Sequence, residues 1–335
     1  MDSYPPSSPR LHQWVNNLWY SENKLALFLL PLSGVFFLLS SLRKFIHNNF
    51  PGMHVKFSVP VIVVGNITVG GSGKTPMVIH VAQELSSFGY RVGVSTRGYG
   101  RQARETLLVS EYHNSHEVGD EPLLIHTKTN ASVLVGDNRK QNIQKLIEEH
   151  GCNVVICDDG LQDYRFEHDV EIIMIDGNRL FGNGYLLPAG PLRESVQRLN
   201  SSHFNVVTGK LLPSISAYHM QLQCRTAVNI GDDSKMIELS TMKNKSVHAF
   251  AGIAHPERFF SMLKTFGIEV IKHPMPDHYD YAASDFEFND DLPVFMTEKD
   301  AVKCRQLANT NVWRVPIETR LPETFVSRLH DTIKR

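Results

Sequence analysis

Cysteine is scarce in this 335-residue sequence, and Cys152, Cys157, Cys224 and Cys304 form no C-x-x-C pair, which argues against a zinc ribbon or a disulfide framework. A reducing compartment fits. Net charge is nearly absent too, 34 Lys+Arg against 35 Asp+Glu giving −1, so the basic excess of a polyanion-binding surface is missing and nucleic acid is not an expected partner. No repeat of fixed period is evident. The composition is not that of a disordered chain either: 42% hydrophobic with 21% charged residues supports a buried core, and the length allows two domains.

Long apolar runs are absent with one exception. Leu25 to Leu42 reads LALFLLPLSGVFFLLSSL, eighteen residues without a charge, bracketed by Lys24 and by Arg43-Lys44. As a helix it spans roughly 27 Å against a hydrocarbon core of about 30 Å. The alternatives are a buried core helix and a signal peptide. The latter fits poorly, because the run starts late and ends in Ser40-Ser41-Leu42-Arg43-Lys44 in place of a small-residue cleavage site. We read a membrane-associated anchor that either crosses the bilayer or lies in one leaflet with Pro31 as a kink.

From residue 60 the pattern becomes short apolar runs separated by glycine-rich turns and helix-length amphipathic stretches. That is βα alternation and a mostly parallel sheet with helices on both faces. Expected strands are Val61–Val64, Arg91–Ser95, Ser132–Val135, Val154–Cys157, Ile172–Ile175 and Phe204–Val207, with helices at Pro76–Phe88 and Arg139–Glu149. Apolar periodicity fades after Lys210. A second, smaller α/β lobe follows, with strands at Val247–Ala251, Glu269–Lys272 and Pro293–Met296 and helices at Pro256–Phe266 and Lys299–Leu307. The expected division is 1–44 for the anchor segment, 45–220 for the core and 221–335 for the smaller lobe.

The sharpest local signal is VIVVGNITVGGSGKTP, residues 61–76, a β-branched strand entering a glycine-rich turn and then a helix. This is the context of a phosphate-binding loop of the P-loop NTPase type. Gly70, Gly71 and Gly73 let backbone N–H groups face phosphate oxygens, Lys74 reaches the β- and γ-phosphates, and the Thr75 hydroxyl suits Mg²⁺. The nucleotide-binding turn is thus Thr68, Val69, Gly70, Gly71, Ser72, Gly73, Lys74 and Thr75, and it departs from the general G-x-x-x-x-G-K-[ST] pattern only at Thr68. A second signal is NVVICDDGLQ, Asn153–Gln162, an apolar strand ending in Asp158 and Asp159, where such enzymes place a metal-organising acid.

These segments, with STRGYGR (Ser95–Arg101), VGDEP (Val118–Pro122), PAGPLRE (Pro188–Glu194), FAGIAHPERF (Phe250–Phe259), PDHYDY (Pro276–Tyr281) and TEKDAVK (Thr297–Lys303), resemble the tetraacyldisaccharide 4'-kinase family of lipid A biosynthesis over nearly the whole chain. Its members use the Thr-Val-Gly-Gly form of the loop, so Thr68 is what the resemblance predicts. The resemblance implies two α/β lobes with the active site between them. It implies transfer of the γ-phosphoryl group of ATP, with Mg²⁺, to the 4'-hydroxyl of a tetraacylated, 1-phosphorylated glucosamine disaccharide. The setting would be the cytoplasmic face of the bacterial inner membrane, with no obligate protein partner.

Carried onto this sequence, the family pattern makes Asp120 the base for the sugar hydroxyl, His278 its partner, and Lys74 the phosphate-binding lysine. Thr75 and Asp159, with Asp158, Glu121, Gln162 or Glu194, would organise the metal in an order the sequence leaves open. The histidine-rich stretch that often follows the Asp-Asp-Gly turn reads DYRFEHD here, with Leu161 in place of an aromatic, so His168 carries no assigned role. The anchor would then raise encounter with a lipid acceptor more than it serves chemistry. Two other readings share the loop and sheet: a nucleotide-dependent switch acting on a protein, and a membrane scaffold with a vestigial site. Intact Lys74-Thr75 and the Asp158-Asp159 pair argue against the last.

Overall fold

In the computed structural model, which describes residues 9–21, 23–50, 54–211, 213, 215–304 and 311–334, a helix α1 (Pro9–Tyr20) precedes the apolar run. The run itself forms a 3₁₀ turn at Lys24–Leu29 and then α2 (Leu30–Asn49). Pro31 sits in the first turn of α2, where its missing N–H costs no hydrogen bond, so it opens the helix and does not kink it. Lys24–His47 is long and apolar enough to cross a membrane, with only 11% of its apolar window buried. Phe28, Leu38, Leu39, Leu42 and Phe45 are all exposed. One polar side chain points the other way. Ser33 is buried, its hydroxyl donating to Leu186 O at 2.8 Å and accepting the Ala189 N–H at 3.1 Å. Trp19 Nε1 donates to Pro188 O at 3.0 Å, so both N-terminal helices dock on residues 186–189.

The β-branched runs form a nine-stranded sheet whose first eight strands are β1 (Val61–Gly65), β2 (Val92–Thr96), β3 (Leu107–Leu108), β4 (Ser132–Val135), β5 (Val154–Asp158), β6 (Val170–Asp176), β7 (Phe204–Thr208) and β8 (Tyr218–Gln223). They lie in the order β8-β7-β6-β1-β5-β2-β4-β3, all parallel except the β3 edge. Side chains alternate between faces, and both faces are covered. Ile62 and Val64 pack against Met77, Val78 and Val81 of α3 (Lys74–Ser87), while Val61 and Val63 share a core with Ile143 and Leu146. Two short helices, α4 (Ser115–Val118) and α5 (Asp120–Lys128), follow β3, and α6 (Arg139–Glu148) carries Ile143 and Leu146. β1 lies between β6 and β5, where successive connections diverge to opposite sides. A parallel sheet opens its ligand crevice at such a point.

The second sheet has six strands: β9 (Thr226–Asn229), β10 (Met236–Glu238), β11 (Ser246–Ala251), β12 (Glu269–Pro274), β13 (Val294–Thr297) and β14 (Val312–Val315), ordered β10-β9-β14-β13-β11-β12. α7 (Pro256–Thr265) buries Phe259, Phe260 and Leu263 against it. The helix expected at Lys299–Leu307 is shorter. α8 covers Glu298–Ala301, and the next turn tightens to i→i+3 bonds (Lys303 N to Asp300 O, Cys304 N to Ala301 O); positions 305–307 lie outside the described residues.

The chain then returns to the first sheet. β15 (Glu318–Arg320) pairs antiparallel with β8, and α9 (Glu323–Ile333) sends Phe325, Leu329 and Ile333 into the core that holds Ile62 and Val64. The expected division put all of 221–335 in the smaller lobe, but 318–333 packs with the larger one. The apolar stripe of α9 finds its cover there.

Candidate active site

Between β1 and α3 the chain must reverse direction, and Gly73 (φ 84°) caps α3 in the left-handed region. A Cβ there would lie 3.1 Å from Thr208 Cγ2 and 3.2 Å from Met220 Cε, so only glycine lets the turn sit this close to β7 and β8. Asn66, fully buried, folds the turn over itself: its amide donates to Thr68 O at 2.6 Å and Gly70 O at 3.3 Å and accepts from Lys74 Nζ at 3.1 Å. Thr68 bridges to Leu192. Val69 N–H donates to Pro191 O at 2.8 Å and Arg193 N–H to Ile67 O at 2.7 Å. Of the expected nucleotide-binding residues, Thr68 and Val69 are therefore held as an outer wall by residues 191–193. Gly70, Gly71, Ser72, Gly73, Lys74 and Thr75 form the inner turn and the start of α3, where helix N–H groups lack intrahelical partners.

The two adjacent aspartates end in opposite environments. Asp158, buried at the tip of β5, takes a hydrogen bond from Thr96 Oγ1 at 3.3 Å on Oδ2, while its Oδ1 is buried with no hydrogen bond among the described residues. Burial and the nearby Glu121 carboxylate push its pKa up to about 7. Asp159 has a left-handed backbone (φ 50°), with Arg193 Nη1 at 3.1 Å and Lys74 Nζ at 3.6 Å. Burial raises its pKa, but the cations of Lys74 and Arg193 outweigh that and hold it below the usual carboxylate range. Arg139 ties the turn down, donating to Asp158 O at 2.7 Å and Asp159 O at 2.9 Å.

Gln162 and Glu194 are already engaged. Gln162 Nε2 donates to Asn66 O at 3.2 Å and Glu194 Oε1 at 2.7 Å, and Glu194 also accepts from Tyr164 OH at 3.3 Å and forms an ion pair with Arg198, Nε lying 3.3 Å away. They brace the loop in this arrangement. His168 is spent on Glu171 and Asp163 O, both at 3.0 Å. No three His, Cys, Asp or Glu side chains among the described residues converge as a ready metal cage. Even so, the orphaned Asp158 Oδ1 and the repulsion between Asp158 and Glu121 leave carboxylate oxygens that suit a hard cation keeping water and phosphate ligands.

Asp120 opens α5 behind Gly119, whose φ of 91° permits the sharp entry. The Asp120 carboxylate is 5% exposed, and His278, from the second lobe, places Nδ1 2.9 Å from its Oδ2. Burial raises the Asp120 pKa, and the hydrogen bond from His278 with the Lys303 and Lys299 cations brings it below the usual range. His278 is itself left-handed (φ 61°), a strained state for a bulky residue that only its surroundings sustain. The sequence did not single out Lys299 and Lys303, although their four-residue spacing in TEKDAVK was the available signal. Lys299 reaches Glu121 at 3.5 Å and Asp277 at 3.0 Å. Nor did it single out Asn66, Arg139, Arg193 or Arg179. A cleft of about 770 Å³ lies beside the loop, lined by Tyr20, Asn178, Arg179, His255 and Arg258 among others. Arg179 bonds His255 Nε2 at 2.7 Å across it, and Arg258 pairs with Asp176 at 2.5 Å, both joining the lobes.

A parallel sheet whose first strand turns through glycine and Lys-Thr into a helix, beside a strand ending in buried acid, defines the class of phosphate-loop nucleotide-binding proteins. Comparison with known proteins narrows the class. The profile of the tetraacyldisaccharide-1-P 4'-kinase family matches residues 25–334. The tetraacyldisaccharide 4'-kinase of Methylobacillus flagellatus is 41% identical over 318 residues, 95% of each chain, and that of Ruthia magnifica is 44% identical over 303 residues, 90% of this chain and 95% of the relative. A crystal structure of LpxK from Aquifex aeolicus in complex with ATP superposes with a TM-score of 0.78 at 30% identity, covering 92% of this chain and 99% of that one. The chain belongs to the tetraacyldisaccharide 4'-kinase family.

Proposed function

We propose that this kinase transfers the γ-phosphoryl group of ATP to the 4'-hydroxyl of a tetraacylated, 1-phosphorylated glucosamine disaccharide, a step of lipid A biosynthesis at the cytoplasmic face of the bacterial inner membrane. The observation that carries the reading is the buried Asp120–His278 contact across the lobes, on the same side of the sheet as the loop, with Glu121 close enough to Asp158 to raise its pKa. Phosphoryl transfer asks mainly for positioning and charge neutralisation. The inner turn and Lys74 supply these for the triphosphate, and the Arg179 cleft beside Gly70 accommodates the nucleoside. A hydroxyl acceptor further benefits from a base, typically about 10²- to 10⁴-fold, and Asp120 oriented by His278 provides one. A switch acting on a protein has no use for that pair.

Thr75, Asp158 and Glu121 would hold a magnesium ion, which when bound spreads phosphate charge. The exposed apolar face of α2, with Arg43, Lys44 and Lys56 near it, suits an anionic leaflet in which the acceptor resides. The test is labelled ATP with Mg²⁺ and tetraacyldisaccharide 1-phosphate in mixed micelles. Wild type forms a bis-phosphorylated lipid and Lys74→Ala does not. Wild type that consumes ATP without labelling lipid refutes the reading.

A further inference from the structure

Two second-lobe side chains, His278 and Lys303, address the same oxygen of Asp120. His278 Nδ1 lies 2.9 Å from Asp120 Oδ2 and Lys303 Nζ 3.6 Å from it, so Oδ1 is the oxygen neither one holds. The Lys303 side chain is only 3% exposed, and its ammonium makes no hydrogen bond among the described residues. It is suspended instead between charges: Asp300 Oδ1 at 3.1 Å on its own lobe, Asp120 Oδ2 on the other, with the Tyr281 ring centroid at 5.1 Å. Asp300 is fixed in turn. Fully buried, it spends Oδ2 on the Thr297 hydroxyl at 2.5 Å and the Gly252 N–H at 2.9 Å, which leaves Oδ1 for Lys303. A buried ammonium with unused donors beside a candidate base is more than a solvated charge.

We infer that Lys303 is a positioning residue for phosphoryl transfer: with His278 it pins Asp120 Oδ2, so that Oδ1 is the oxygen presented to the acceptor hydroxyl. In that step the hydroxyl proton passes to Oδ1 and the hydroxyl oxygen forms the new bond to the γ-phosphorus. The bond from that phosphorus to the β–γ bridging oxygen breaks, its electron pair leaving with ADP. Lys299 acts on Asp120 only through its charge, its close ion pairs being with Glu121 and Asp277, so it does not substitute for Lys303.

The inference rests on the proposed kinase activity, and one series separates the two. Wild type, Lys303→Met, His278→Ala and the double variant are assayed for lipid phosphorylation in mixed micelles and, without lipid, for ATP hydrolysis. We expect Lys303→Met to lower kcat at least tenfold while KM for ATP and for lipid stays within twofold and hydrolysis to water is unchanged. Because both side chains hold one oxygen, the double variant should fall well short of the product of the single losses. A Met variant with kcat near wild type, or losses that multiply, overturns the role of Lys303. If Lys303→Met does not fold, Lys303→Leu, which likewise offers no donor, carries the same expectation. Wild type that fails to phosphorylate lipid instead refutes the kinase reading itself.

Discussion

Ser33→Ala in α2 asks whether the N-terminal helices are a tether or part of the site. The hydroxyl makes two buried hydrogen bonds, to Leu186 O at 2.8 Å and from Ala189 N at 3.1 Å. Each is worth about 0.5–1.5 kcal/mol net, so their loss loosens residues 186–189 by about 1–3 kcal/mol. Two residues further on, Pro191 and Arg193 hold the nucleotide turn through Val69 N–H and Ile67 O, and Arg193 holds Asp159. If half of that loosening reaches the turn, ATP affinity falls by roughly two- to twelvefold, since about 1.4 kcal/mol is a factor of ten. The assay is titration calorimetry of detergent-solubilised protein with a non-hydrolysable ATP analogue, alongside thermal melting. A lowered Tm with unchanged Kd for the analogue would show that the helices only tether, as the sequence alone suggested.

Phe325→Ala in α9 should cost about 3–5 kcal/mol, because the ring is fully buried in the core shared with Met77 and Val78 of α3. Denaturant unfolding should show ATP binding lost in the same transition, and its survival would detach α9 from the larger lobe. Glu171 offers a pH test. Burial raises its pKa, but hydrogen bonds from His168 and Arg198 bring it down to about 2, well below the ordinary glutamate range. Its stabilisation is thus present above about pH 5 and lost as pH falls toward 2, an effect on the order of 2–3 kcal/mol. Glu171→Gln should flatten urea-denaturation midpoints across that window, and an unaltered slope contradicts the linkage. Leu38→Glu with Leu39→Glu should abolish flotation with anionic vesicles while leaving ATP binding intact. Retained flotation would remove α2 from the membrane contact.

Much of the larger lobe was readable because buried parallel strands are short β-branched runs, and Val61–Gly65, Val154–Asp158 and Phe204–Thr208 announce themselves that way. The turn was readable because its chemistry is local: glycines, Lys74 and Thr75 are consecutive. β8, β9 and β10 were not seen, since they are short or interrupted by polar residues and lack the continuous β-branched runs of the central strands. The return of 318–333 to the first sheet left no trace, because an amphipathic helix states that it has a buried face and not which core covers it. The same limit hid Asn66, Arg193 and Lys303. Each acts through a partner far along the chain, Lys303 through a carboxylate 183 positions earlier, and only folding brings such pairs together.

The left-handed backbone of His278 allows orientation to be separated from proton acceptance. A bulky side chain at φ 61° costs about 1–3 kcal/mol that the surrounding contacts must offset, and Ala relieves none of it. Asn tolerates this region, and its side-chain nitrogen sits close to where Nδ1 of an imidazole would be, so His278→Asn can keep the bond to Asp120 Oδ2 without offering a titratable ring. The other imidazole nitrogen, Nε2, faces only Asp277 at 3.9 Å, too far for a hydrogen bond, so no second proton-accepting partner completes a relay among the described residues. Orientation is then the main contribution of His278. The Asn variant should exceed the Ala variant in kcat for lipid phosphorylation by at least about tenfold, within the range of a positioned base. Equal rates for Asn and Ala would mean that the ring itself carries the proton.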